Sequence, residues 1–309
     1  MSRSSLASVY NETKSKKEEK EAHLLMLMTS MFWGVSFVAG KIALLEFPPM
    51  TLTFFRFFIA TIIIFPYMWS KSRIKNPERK DIPYLFAIGF LAIPIQFALQ
   101  FTALQYTSPA NASTIAALNP FVSSIMATYL TDERLSRRKV SLLILALCGV
   151  LLTVTGGDPY VLLSMQFNKG DLLATLGMLT FALYGIFSIR ATKKYGPLLV
   201  TSYVFLFGLV QITPFMLREG VWTKVLSFSL EAWIAVIFLA IGASVLGYQF
   251  QQISIQRLGV NRTSIYINLV PPFAIIFAYV ILGDKITLIN IVSSSIIGIA
   301  VYLNTGGSR

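Results

Sequence analysis

Within the apolar stretches of this 309-residue chain sits a small set of uncharged polar and aromatic side chains at helical spacing. Gln96 and Gln100 are four residues apart, and Ser244, Tyr248, Gln251 and Gln252 follow a similar stripe. Thr114, Asn119, Ser264 and Asn268 lie near Pro120 and Pro271-Pro272, prolines that free carbonyls one turn earlier. Trp33 and Tyr184 each precede a glycine about halfway along an apolar stretch. Amides and hydroxyls of this kind can hydrogen-bond a small polar solute, and a ring beside a glycine can stack on that solute or close over it. The alternative role is structural, because such groups also join helices within a membrane, at about 0.6 kcal/mol each. Cavity lining is the better reading for the Gln100/Gln251 pair; for the two rings, pocket lining and helix packing stand level.

Other chemistry is excluded by missing parts. All 14 acidic residues fall in tails, loops or the ends of apolar stretches. That leaves no paired carboxylates for acid–base catalysis and no carboxylate proton relay at depth. One histidine, His23, cannot form a HExxH pair, and one cysteine, Cys148, supports neither a disulfide framework nor a thiolate zinc cluster. No catalytic residue, metal or cofactor is expected. Lys41 and Arg56 are the two basic residues within apolar stretches. Either they bind a substrate carboxylate or shape an outer gate, or they anchor the first two helices to each other, to backbone carbonyls or to head groups, with the long side chain reaching the interface. The anchoring reading is preferred for both.

The elements that must position these residues follow from composition. Only 13% of residues are charged and 55% are hydrophobic, against about 25% charged in a soluble domain. A bilayer-crossing helix needs about 20 mostly apolar residues. Ten stretches qualify approximately: Ala22–Leu44, Pro49–Ser70, Pro83–Tyr106, Ser108–Leu130, Val140–Thr155, Asp171–Arg190, Pro197–Leu217, Glu231–Gln256, Thr263–Leu282 and Ile286–Asn304. Runs such as Ile62-Ile63-Ile64-Phe65 do not alternate, so helices rather than barrel strands are expected. The expected fold class is an all-α integral membrane protein. Residues 1–21 are polar, so no cleavable signal is expected and the first span would serve as the insertion signal. Residues 156–170 form the longest interruption and divide the chain almost in half.

The net charge of +12 is distributed loop by loop. The N-terminal tail, the even-numbered loops and the C-terminus hold 20 of the 26 Lys and Arg, and the odd-numbered loops hold four. Cytoplasmic loops attract such an excess, so both termini are expected in the cytoplasm. A nucleic-acid patch would cluster instead of alternating, and no nucleic-acid partner is expected.

A shift of 151 residues superposes the halves. Trp33-Gly34 meets Tyr184-Gly185, Gln100 meets Gln251, Gln105 meets Gln256, Ser113 meets Ser264, Leu118 meets Leu269, Pro120 meets Pro271 and Glu133 meets Asp284. Five spans per half is an odd number, so the second half enters the bilayer from the opposite side. Inverted repeats of this kind mark secondary transporters, with substrate near the midplane between the halves. Two five-helix repeats are therefore expected at 22–155 and 171–304, joined by 156–170 and flanked by tails 1–21 and 305–309.

The stretch Leu118-Asn119-Pro120-Phe121, followed by Leu130-Thr131-Asp132-Glu133-Arg134-Leu135 and Gly149-Val150, resembles the EamA-type repeat of the drug/metabolite transporter superfamily. So does its echo, Val270-Pro271-Pro272-Phe273 with Leu282-Gly283-Asp284-Lys285-Ile286, and so does the opening Phe32-Trp33-Gly34 with Lys41 and Arg56. The chain departs from the pattern at Asp284-Lys285, where Gly-Glu is usual. The resemblance covers residues 22–304 and implies ten helices with both termini inside. It also implies a transporter of amino acids or other metabolites, like bacterial and archaeal exporters.

The resulting expectation is a multi-pass transporter of the cell (plasma) membrane. It would export a small neutral or zwitterionic metabolite, such as an amino acid, aromatic ones included, by alternating access. The runner-up is an anion exchanger of the sugar-phosphate or nucleotide-sugar type, which would want more inward-facing Lys or Arg. Expected partners are the small-molecule substrate and the lipid bilayer; oligomeric state is left open.

Overall fold

A computed structural model describes residues 3–70, 76–103, 106, 115–116, 118–130, 136–155, 157–158, 160, 163–164, 169–283 and 287–305. Among them the main rods are α1 (Arg3–Ala43), α2 (Pro49–Ser70), α3 (Arg79–Ala103), α4 (Asn119–Leu130), α5 (Arg137–Thr155), α6 (Lys169–Tyr195), α7 (Pro197–Glu219), α8 (Leu230–Leu258), α9 (Ser264–Leu282) and α10 (Leu288–Thr305). No strand occurs among the described residues. Proline opens α2 and α7, where its missing N–H leaves no bond unmade. Glycines in the left-handed region end α7 at Gly220 and α9 at Gly283. The polar tail is not a separate element: α1 runs through it into the first apolar stretch.

Seven rods contain a segment long and apolar enough to cross a bilayer: α1 over Lys16–Ala43, and α2, α3, α6, α7, α8 and α9, with α6 counted from Leu172. The sequence reading of ten is thus met by seven on length and apolarity among the described residues. In α10 the apolar part is the shorter Ile291–Ala300, and α5 opens on Arg137, Arg138 and Lys139. The outward faces are apolar as well. Ile62, Trp69, Ile144, Val280, Leu288 and Tyr302 are exposed, a surface that suits lipid and not water.

Packing follows the repeat. α2 pairs with α7 and α5 with α10, counterparts under the 151-residue shift. The first helix of each half is embraced by the other half: α1 lies against α8 and α9, and α6 against α3 and α4. Close approach in the α5–α10 pair depends on small residues, Gly149 facing the Ser293-Ser294-Ser295 run. Ser293 is fully buried, and a Cβ on Gly149 would stand 3.1 Å from its carbonyl oxygen. Phe57, Leu85, Ile93, Val204, Phe205 and Leu239 belong to one core cluster drawn from both halves.

Two rods carry a wider π-type turn at corresponding places. In α3 it covers Leu91–Ile95 and contains Pro94; in α8 it covers Leu239–Leu246. Shifted by 151 residues, the first falls on the last five residues of the second. π-turns leave carbonyls off the i→i+4 ladder, and they recur at functional sites. The first turns of α9, Ser264–Leu269, are wound as a 3₁₀-helix ahead of Pro271-Pro272.

Candidate functional site

The freed carbonyls of α8 are taken by side chains. Ser244 Oγ donates to Leu239 O at 2.9 Å, five residues back, and Trp33 Nε1 donates to Ala243 O at 3.0 Å. The Trp33 bond ties α1 to α8 and sets the ring edge-on to Tyr248 (centroids 6.0 Å apart) and to Phe181 (5.6 Å). Tyr248 also meets Tyr184 at 5.8 Å, Phe205 at 5.5 Å and Phe57 at 6.4 Å. Together the rings form a continuous aromatic layer across the bundle, with Tyr184 and Tyr248 essentially without exposed surface.

On one side of this layer, towards the α8–α9 turn, is a cavity of about 20 Å³, room for a single water. Asn119 and Ser123 of α4, Gly185 of α6, Gln251 of α8, and Thr263 and Ser264 line it, with Phe181 as its link to the rings. No ionisable residue is among its walls. Asn119 is held by its own bonds, Nδ2 to Met178 O at 3.3 Å and Oδ1 from Ser123 Oγ at 3.1 Å. Gln251 is buried, yet its Oε1 has no hydrogen-bond partner. An unsatisfied buried acceptor costs about 1–3 kcal/mol, so a wall group in this state is poised for a donor from a solute.

Gln252, the next residue, has a different role. Its amide is within 3.2 Å of the hydroxyls of Tyr184, Ser188 and Thr192, and so knits α8 to α6. Gln100 is half-buried along the α3–α6 contact and does not line the cavity. The structure therefore does not bring Gln100 and Gln251 to one wall. Gln96 and Asn268 are buried with unpartnered amide oxygens, but neither lines the cavity. Thr114 lies outside the described residues.

On the far side of the ring layer is Arg56. It is 5% exposed, so its charge does not reach the interface as the anchoring reading supposed. Nor does it join α2 to α1: its Nε donates to Ser244 Oγ on α8 at 2.6 Å. Lys41 is exposed near the end of α1. Ser244, Tyr248 and Gln251 thus form a line along α8 from Arg56, through the rings, to the cavity.

The two halves also differ in one contact that their symmetry would make equal. At Gly34 a Cβ would meet Phe273 Cβ at 2.5 Å and Ala274 N at 2.9 Å, so α1 is pressed onto α9. At its counterpart Gly185 nothing lies within 4 Å, and that gap opens to the cavity between α6 and α4.

Polar ties hold both ends of the bundle. Ser229, at the start of α8, donates its N–H to Glu46 Oε2 at 2.8 Å and its hydroxyl to Oε1. The Ser229 hydroxyl, then its backbone N–H, hold the Glu46 carboxyl below its usual value. At the opposite end Lys194 pairs with Asp81 at 2.6 Å and Glu78 at 2.8 Å, and Lys194 with Lys80 keeps the Glu78 carboxyl low. Near the cavity, Arg257–Glu21 and Arg262–Glu19, each at 2.9 Å, tie α1 to the α8–α9 turn.

The sequence reading passed over Phe57, Phe97, Phe181 and Phe205, because phenylalanine in a membrane helix signals nothing by itself. It also passed over Ser188 and Thr192. These follow Tyr184 at intervals of four, the same periodicity that singled out α8.

The EamA-like transporter family model matches this chain twice, over residues 20–155 and 168–306. Among curated proteins, the uncharacterized transporter YyaM of Bacillus subtilis (strain 168) is 28% identical over 93% of this chain and 94% of its own length. A protein of Salmonella typhimurium named "probable amino-acid metabolite efflux pump" is 26% identical over 92% of this chain and 95% of its own. Its Escherichia coli (strain K12) namesake is 25% identical, over 93% and 95%. One solved crystal structure superposes with a TM-score of 0.75 at 19% identity, covering 92% of this chain and 97% of that one, a likeness of fold.

Proposed function

The chain belongs to the EamA-like transporter family, and on that premise we propose that it exports small neutral or zwitterionic metabolites, amino acids including aromatic ones, by alternating access between its two repeats. It is a multi-pass membrane transporter by family and by its apolar helices. The finer reading gives it ten spans, both termini in the cytoplasm, and a place in the plasma membrane. Export is supported by the relatives named as efflux pumps.

The observation that carries the substrate reading is the uncharged wall of the cavity, in which Asn119, Ser123, Gln251, Thr263 and Ser264 are set among apolar side chains and Phe181 links it to the ring layer. A neutral or zwitterionic solute can exchange its water for Gln251, Asn119 and Ser264 without a buried countercharge. A phosphorylated dianion could not, because desolvating an unpaired ion costs several kcal/mol. At about 20 Å³ the cavity is too small for an amino acid, so the solute is admitted only when α4 and α6 move apart. The contact closed at Gly34 and open at Gly185 supplies the mechanism. In the opposite state α6 closes on α4 and α1 parts from α9, transferring the opening to the other side of the rings.

Counterflow in proteoliposomes tests this directly. Neutral amino acids are expected to exchange, sugar phosphates and nucleotide sugars to exchange poorly, and a pH gradient alone to drive little accumulation. Preference for phosphorylated solutes would overturn the proposal in favour of an anion exchanger.

A further inference from the structure

Arg56 begins seven residues into α2, about 10 Å along the helix from Pro49, and its side chain is buried. Phe97 covers one region of the guanidinium, with the ring centroid 4.7 Å from Cζ, and Phe57 another at 5.3 Å. Both rings attract a cation, but neither neutralises it. The hydrogen bond to Ser244 uses Nε, one of five N–H donors. Among the described residues no carboxylate lies within ion-pair distance of Arg56; the acids found in ion pairs are Glu19 and Glu21, in the polar part of α1, and Glu78 and Asp81, at the start of α3. A tie between α2 and α8 needs no charge, since a neutral donor would serve Ser244 equally well. A permanent cation retained at depth, with its forked Nη end unspent, fits the planar recognition of a carboxylate.

We propose that Arg56 is the carboxylate-recognising residue of the transport path, so that the exported solutes are α-amino acids and related monocarboxylates held by this guanidinium beyond the ring layer. The proposal rests on the transport reading above and narrows its substrate class. Ser244 holds Nε and so aims the Nη pair. Ser244, Tyr248 and Gln251 lie along one side of α8, and from the first to the last is about 10 Å. A solute leaving the cavity therefore meets Tyr248 and Trp33 before it meets Arg56. With its carboxylate on Arg56, a zwitterion leaves its ammonium toward the faces of those rings. One guanidinium balances one negative charge, which favours monocarboxylates over phosphate esters.

The test compares solutes that differ only at the carboxyl group. Radiolabelled L-phenylalanine and L-phenylalaninamide are offered to wild-type protein in proteoliposomes, with L-leucine and leucinamide as a second pair. Wild type should carry each acid at least about tenfold faster than its amide. Arg56→Gln should bring that ratio close to one, and Arg56→Lys, which keeps the charge without the fork, should restore part of it. A purely structural Arg56 would lower both rates together and leave the ratio unchanged. Equal transport of acid and amide by wild type would overturn the proposal, as would an Arg56→Gln protein that folds and keeps the ratio. Should Arg56→Gln fail to fold, the wild-type ratio and Arg56→Lys decide. Wild-type protein that carries sugar phosphates but neither acid nor amide would overturn the transport reading itself, and this proposal with it.

Discussion

A methyl group added at Gly34 and one added at Gly185 should have opposite effects, although the 151-residue shift makes the two positions counterparts. At Gly34 the new Cβ would stand 2.5 Å from Phe273 Cβ, 2.9 Å from Ala274 N and 3.0 Å from Val270 O. Two of these are backbone atoms and the third is bonded to backbone, so no change of rotamer relieves the overlap. α1 and α9 must separate until the gaps reach the 3.4 Å of ordinary contact, and overpacking of this kind costs about 1–3 kcal/mol. At Gly185 nothing lies within 4 Å. Alanine there fits without displacement and contributes up to about 1 kcal/mol from helix propensity. The same gain applies at Gly34 and cancels, so the two variants should differ in stability by the overpacking alone, roughly 1–3 kcal/mol. Thermal unfolding in detergent would read this difference, with Gly34→Ala below Gly185→Ala and Gly185→Ala at or above wild type. Transport should divide differently. If α6 must close on α4 in the opposite state as α1 now closes on α9, the Gly185 methyl obstructs that closure. Gly185→Ala should then be stable and slow. A Gly34→Ala protein as stable as Gly185→Ala would refute the packing argument; a Gly185→Ala protein that transports at the wild-type rate would refute the exchange of contacts.

Gln251→Leu should leave stability at or above wild type, since its buried Oε1 has no partner to lose, while transport falls. Gln252→Leu strands the Tyr184 and Thr192 hydroxyls, while Ser188 keeps its bond to Gly185 O, and should destabilise by about 1–3 kcal/mol; thermal melts and counterflow on both variants check the contrast. The lowered pKa of Glu46 sets a direction with pH: its bond to Ser229 contributes fully above the unfolded value of 4.5 and is lost as pH falls through the depressed folded value. Glu46→Gln should remove that part of the acid sensitivity, and an unchanged acid melting profile would count against it. For topology, after the exposed Cys148 is replaced, single cysteines in the 71–80 loop should be shielded from an impermeant reagent outside the cell. Cysteines near Asp158 should react with it, and the reverse pattern would invert the orientation.

Much of this protein is legible without a structure, because a bilayer constrains sequence strongly. Long apolar runs, proline at the starts of α2 and α7, and the 151-residue echo follow from hydropathy, backbone chemistry and repetition. The resemblance to EamA repeats rested on residues and agreed with the family match. Polarity inside apolar stretches likewise singled out Ser244, Tyr248, Gln251 and Gln252 before any coordinates. Their division of labour was not legible. Gln251 and Gln252 are adjacent and chemically identical, yet one faces a cavity with an empty acceptor and the other is bonded to α6. In a soluble helix the polar face would have shown which side was inside. Here lipid and protein core are both apolar, so composition carries almost no information about the rotation of a helix about its axis. That rotation, set by which helix of the other repeat packs alongside, sent Gln100 to the α3–α6 contact and buried Arg56 against Ser244. It also left Gly34 closed and Gly185 open, two glycines that are equivalent by sequence and are distinguished only by the packing of the state the chain adopts.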